Sequence, residues 1–177
     1  MEVLAGPDAH LLSFRDLTRR LGVTTGAPYH HFKDRTDLLV NLAIDGFNLL
    51  HHRLEHASIG TRSNDSLVEA LTVAYLDFAH EERGYYQAMF LPEVCAQDVS
   101  ELRKAAEESF QHVCKAIAHV QGKLTKDEVS ERAVSLWSFL HGVINLRAAG
   151  TLGRRLSVER ENRFAVEAVK RLLQPGN

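Results

Sequence analysis

Two cysteines in 177 residues, Cys95 and Cys114, share no CxxC-type spacing. A disulfide framework and a zinc ribbon are both excluded, and each cysteine reads as a small buried hydrophobe. No apolar run reaches the ~18 residues a membrane-spanning helix needs. Met1 to His10 has neither the basic start nor the apolar centre of a signal peptide, so a cytoplasmic protein is expected. Strand-like alternation, internal repeats and low-complexity tracts are missing as well. So is the equipment of an enzyme: no nucleophile, carboxylate pair or glycine-rich phosphate loop has supporting spacing, and no cofactor is expected.

What remains is an ordinary soluble composition, 45% hydrophobic and 25% charged, enough to bury a sizeable core. Beyond residue 34 the pattern is helical throughout, and the expected fold class is all-α. Asp34 is placed to cap a helix to about His56, with Leu38, Leu39, Leu42, Ala43, Gly46, Leu50 and Leu54 on or beside one face. Gly60 to Asp65 breaks it. Ser66 with Glu69 reads as a capping box for a helix through Leu67, Leu71, Ala74, Tyr75 and Phe78, and Arg83-Gly84 reads as the next break. A short helix before Pro92, a longer one from Val99 to about Val120, a Thr125–Glu128 capping box opening a helix to near Gly150, and a last helix from Ser157 to Leu173 complete the body.

The informative stretch lies earlier. Residues Leu12 to Asp37 read as two short helices joined by the turn Leu21-Gly22-Val23, followed by a fresh helix start, the layout of a helix-turn-helix. Ser13 can cap the first helix, and Thr24 the second, which runs to His31 and tolerates Pro28 in its first turn. Thr24, Thr25, Gly26 and Ala27 would open a recognition helix whose small side chains allow close approach to the major groove. Tyr29, His30 and His31 have phosphate-length reach, and Lys33 and Arg35 flank the next helix start. From His10 to Asp37 there are five Arg and Lys against three Asp, a local surplus of two in a chain of net charge −2. Charge is therefore concentrated where duplex DNA would dock.

The string GVTTGAPYHHFKDRTDLL, within Leu12 to Leu39, resembles the DNA-binding signature of the TetR family of bacterial transcriptional regulators. A second resemblance lies in LWSFLHGVINLRAAGTL, where Trp137, His141 and Gly142 look like the Trp-His-Gly element of one class of TetR-type ligand-binding domains. The resemblance implies backbone contacts by Ser13 and Arg15, a DNA-binding domain over residues 1–50 including the connecting helix, and a ligand-binding and dimerisation domain over 51–177. Family members carry a full first helix before the motif. Only Met1 to Leu4 could supply its final turn here, so either the true start lies upstream or the headpiece is N-terminally incomplete.

Two further expectations concern the body. Phe78, Tyr85, Tyr86, Met89, Phe90, Phe110, Trp137 and His141 combine aromatic walls with a Tyr or His donor, as a pocket for a small apolar effector does. The helices near the C-terminus carry more apolar surface than one core face requires. The resemblance implies that they meet their copy across a twofold axis, with Val129, Leu136, Leu140, Ile144, Phe164, Ala168 and Leu172 at the homodimer interface. The expected function is a ligand-responsive regulator, a repressor released from a palindromic operator by a small molecule. Two alternatives compete with it. One is a dimeric helical ligand-binding or interaction protein that does not bind DNA. The other is a metal sensor, because His52 and His56 stand one helical turn apart with Glu55 between them.

Overall fold

The computed structural model describes residues 32–153 and 155–174. Among these there are seven helices and no strand, so the protein is all-α. The helix-turn-helix read from Leu12 to His31 lies outside the described residues.

Helix α1, Arg35–Ser58, starts where the sequence puts a cap. The Asp34 carboxylate accepts from the Asp37 amide at 2.9 Å, satisfying one orphan donor of the first turn, and the Asp37 carboxylate reaches back to the Lys33 amide, just before the cap, at 2.9 Å. Leu38, Leu39, Ala43, Leu50 and Leu54 are buried, and Leu42 is half-buried. Beyond the helix end, Gly60 takes φ 78°, a conformation other residues adopt at a steric cost.

Helix α2, Asn64–Glu81, corrects one expectation. Its box is built from Ser63 and Ser66: the Ser66 amide donates to Ser63 Oγ at 3.1 Å and the Ser63 amide to Ser66 Oγ at 3.0 Å. A serine at the third helical position does the work a longer carboxylate does elsewhere, and Glu69 instead lies 3.6 Å from Lys170. The following break falls at Glu82, and Gly84 is a buried member of helix α3, Arg83–Met89. A single turn not anticipated from the sequence, α4, Pro92–Cys95, follows at once, with proline at a position where no amide is needed.

Helices α5, Ser100–Gln121, and α6, Lys126–Ala148, follow, and the latter has the anticipated box. Glu128 accepts from the Thr125 amide at 2.7 Å and from its hydroxyl at 2.8 Å, which holds the carboxyl below its ordinary pKa. Helix α7, Val158–Leu172, is capped by Ser157. Cys114 is buried as expected, whereas Cys95 is exposed because it closes the short α4 turn.

The described chain divides into two compact units. The first takes residues 32–50 and Glu81–Glu107, and its buried apolar side chains include Leu38, Leu39, Ala43, Tyr86, Met89, Val94 and Leu102. The second takes His51–His80 and residues 108–174, with Leu54, Leu76, Phe78, Ile117, Ala133, Val143, Ala165 and Val169 buried. Helices α1 and α5 contribute to both. Among the described residues no helix is long and apolar enough to cross a membrane.

Candidate functional site

In the second unit, Phe110 on α5 and Trp137 on α6 face each other with ring centroids 6.5 Å apart. His141 stands one turn beyond Trp137, half-buried, and burial holds its imidazole below the ordinary pKa. At neutral pH this ring is uncharged, with one nitrogen of donor and the other of acceptor character. Phe78, in the same unit, is wholly buried, with the Arg53 guanidinium 5.9 Å from its ring centre.

The other four expected pocket residues belong to the first unit. Tyr86 and Phe90 meet edge-on at 5.0 Å, Phe90 also meets Phe47 at 6.0 Å, and Tyr86 and Met89 are buried. Tyr85 has its hydroxyl pushed above the ordinary phenol pKa by burial and by Asp45 and Glu82. Within the second unit the structure thus sets Phe110 against Trp137, with His141 one turn along α6, and within the first it sets Tyr86 against Phe90.

A polar group that the sequence did not single out lies where α1 meets α5 in the second unit. His112 Nε2 is 3.1 Å from Ser58 Oγ, and the His51 and His112 rings meet edge-on at 5.6 Å. Burial, the neighbouring His51 and Lys115 hold His112 below its ordinary pKa, against the opposing pull of Glu55 and a backbone hydrogen bond at Leu54. No spacing rule along the sequence links positions 58 and 112, which is why the pair was not legible. His52 lies 3.8 Å from Glu55 on the exposed face of α1. Among the described residues no group of three or more His, Cys, Asp or Glu is arranged to hold a metal ion.

The expected contact face of the C-terminal helices sorts into two sets. Val129, Leu136, Leu140 and Ile144 are buried within this chain, at 6–8% exposure, and offer a partner little area. Phe164 and Leu172 are 45% and 46% exposed and Ala168 is half-buried, so on α7 an apolar row at four-residue spacing is bare. On α6 the corresponding row is Val134, Ser138, Gly142 and Leu146, with Val134 47% and Leu146 48% exposed, Ser138 exposed and Gly142 half-buried. A Cβ at Gly142 would meet nothing within 4 Å. Phe139 joins the two helices by packing against Phe164 at 6.0 Å.

At the other end of the chain, the Lys33 side chain is exposed, as a phosphate contact requires. The Arg35 side chain is 19% exposed, and its guanidinium donates to Glu93 on α4. Ser13, Arg15, Thr24, Thr25, Gly26, Ala27, Tyr29, His30 and His31 lie outside the described residues.

The all-helical body has relatives among known proteins. Residues 68–170 match the tetracyclin repressor-like C-terminal domain. The chain belongs to the TetR family of transcriptional regulators. Over 80 residues it is 31% identical to the uncharacterized HTH-type transcriptional regulator YobS of Bacillus subtilis, a match covering 45% of this chain and 41% of that protein. A protein of unknown function from Rhodococcus sp. RHA1 superposes with a TM-score of 0.75 at 28% identity, over 96% of this chain and 88% of that one. The TetR family transcriptional regulator PfmR from Thermus thermophilus shares the fold, with a TM-score of 0.71 at 15% identity over 99% and 92% of the two chains.

Proposed function

We propose that this protein is a ligand-responsive, homodimeric repressor that acts in the cytoplasm and leaves a palindromic operator when a small molecule binds its body. Residues 1–50 serve as the DNA-binding domain with its connecting helix, and 51–177 as the ligand-binding and dimerisation domain. The observation that carries the reading is the bare apolar row on α6 and α7 in a chain of this family. An exposed apolar strip of this kind is costly in water, and a second copy related by a twofold axis covers both strips at once. The same symmetry presents two recognition helices about 34 Å apart, one turn of duplex.

In the second unit the effector is read by Phe110, Trp137 and His141, two aromatic walls and an uncharged donor–acceptor, which suits a small, largely apolar molecule with one polar group. Binding acts through differential affinity for two body conformations, one of which presents the heads in register with successive major grooves. Footprinting on the DNA flanking the protein's own gene tests the reading. Protection of two half-sites one turn apart is expected, and a protein that protects none of that DNA would refute it.

A further inference from the structure

The Arg35–Glu93 pair is the first of a set of contacts that grip the opening half of α1 within the first unit. Glu93 sits on α4, which is held firmly. Val94 beside it is wholly buried, its amide and that of Cys95 both donate to the Leu91 carbonyl at 2.9 Å, and Cys95 Sγ lies 3.8 Å from the Met89 carbonyl. Eleven residues along α1, Gly46 lies so close to α3 that a Cβ there would come within 2.9 Å of Met89 Sδ and 3.1 Å of Tyr85 Cβ. Phe47 packs edge-on against Phe90 at 6.0 Å. At 1.5 Å per residue these grips are about 16 Å apart along the helix, far enough to fix its direction as well as its position.

The start of α1 is hydrogen-bonded to the residues just before it. Arg35 is the first residue of α1, and on either side of it the Asp34 carboxylate accepts from the Asp37 amide and the Asp37 carboxylate from the Lys33 amide. The direction of α1 at its first residue is therefore set by where α4 holds Arg35.

We propose that Glu93 is a positioning residue for DNA binding: by holding Arg35 to α4 it sets the angle at which the residues before Lys33 are presented, and Arg35 serves this pair and not a phosphate. The inference rests on the DNA-binding reading above. It assigns a role to α4, a turn that the motif reading left without one.

The test is a charge cycle on the full chain, read by fluorescence anisotropy against duplex DNA flanking the gene, at several salt concentrations. Glu93→Gln removes a negative charge, so on charge alone it would tighten binding to DNA. The positioning role predicts the opposite, a loss of about tenfold, the scale of one hydrogen bond to a charged group, with the salt slope unchanged. The double variant Arg35→Glu with Glu93→Arg keeps the net charge and recovers most of the affinity. In the same variants, amide hydrogen exchange speeds up over residues 35–40 in Glu93→Gln and returns toward wild type in the swap, a readout that needs no DNA. Unchanged or tighter binding by Glu93→Gln with unaltered exchange overturns the inference. So does a swap that stays weak with a slope lower by about one, because that returns Arg35 to a phosphate. A wild-type chain indifferent to this DNA overturns the regulator reading itself, which is a different result from either.

Discussion

At position 46 a hydrogen stands where any other residue would put carbon, and two buried neighbours depend on it. The added methyl of Gly46→Ala would press on Met89 Sδ at 2.9 Å, Met89 Cγ at 3.0 Å and Tyr85 Cβ at 3.1 Å. Met89 is 2% exposed and Tyr85 Cβ is fixed to its backbone, so neither gives way freely. Overpacking of this kind costs about 1–3 kcal/mol, against a gain of about 1 kcal/mol in helix propensity. A net loss of up to about 2 kcal/mol in urea unfolding is expected, and a stabilised variant would show that the two helices can part. A second residue-scale property is set by solvation. His112 and His141 are held below the pKa of an exposed imidazole. As pH falls through the ordinary value the unfolded chain takes up protons that the folded chain refuses, so stability falls with pH and stops falling only below the folded values. Urea midpoints compared between pH 7.5 and 5.5 should drop for the wild type and drop less for His112→Asn, which keeps a polar partner for Ser58. Identical pH profiles would mean that His112 is solvated in the fold.

Between α6 and α7 the connection is tied by a charge inside the protein. Glu161 is 2% exposed and accepts from Arg147, whose second nitrogen donates to Asn162 at 3.0 Å. Arg147→Ala leaves a buried carboxylate with neither counter-ion nor donor, and a loss of about 3–5 kcal/mol in chemical unfolding is expected. The double replacement Arg147→Met with Glu161→Met should recover most of that, because the desolvation cost disappears along with the pair. A double variant as unstable as the single one would show that the pair contributes more than it costs. This pair, like Arg35–Glu93 and Ser58–His112, was not legible in the sequence, since its partners are joined by topology and no periodic pattern connects them. What was legible is local: the Asp34 cap, the Thr125–Glu128 box and the buried stripe of α1 each follow from residues three or four apart. The same locality explains the misplaced cap of α2. Ser63 and Ser66 are equally good caps on paper, and the longer partner at Glu69 decided wrongly. Val129, Leu136, Leu140 and Ile144 share a wide apolar arc with Val134 and Leu146, and only the packed chain shows which side of the arc it keeps for itself.

For the whole molecule, the question is what covers the face that this chain leaves bare. Phe164 and Leu172 on α7, with Val134 and Leu146 on α6, are each close to half exposed, and between the last two Ser138 and Gly142 present almost no bulk. Large side chains at the edges and small ones in the middle let a second helix approach closely along the row, which a twofold axis through that row provides. The proposed dimer then has twice the 19.9 kDa of one chain. Val134→Glu places a carboxylate at one end of that contact, where lost apolar area and the cost of covering a charge add. Sedimentation equilibrium should show the wild type as a dimer and Val134→Glu as a monomer with unchanged helical content. Phe164→Glu should act the same way, although it also removes the contact with Phe139. DNA affinity is the sharper readout. A dimer gains from tethering two heads at a fixed separation, so that the second binds at high effective concentration, and a monomer keeps only a single-site contact. Val134→Glu should therefore bind a palindromic site with at least a hundredfold weaker affinity, on the order expected for loss of bivalency, while its affinity for an isolated half-site stays as in the wild type. A monomeric Val134→Glu that still held the full palindrome as tightly would mean that one head suffices, and the bare row would then need another partner.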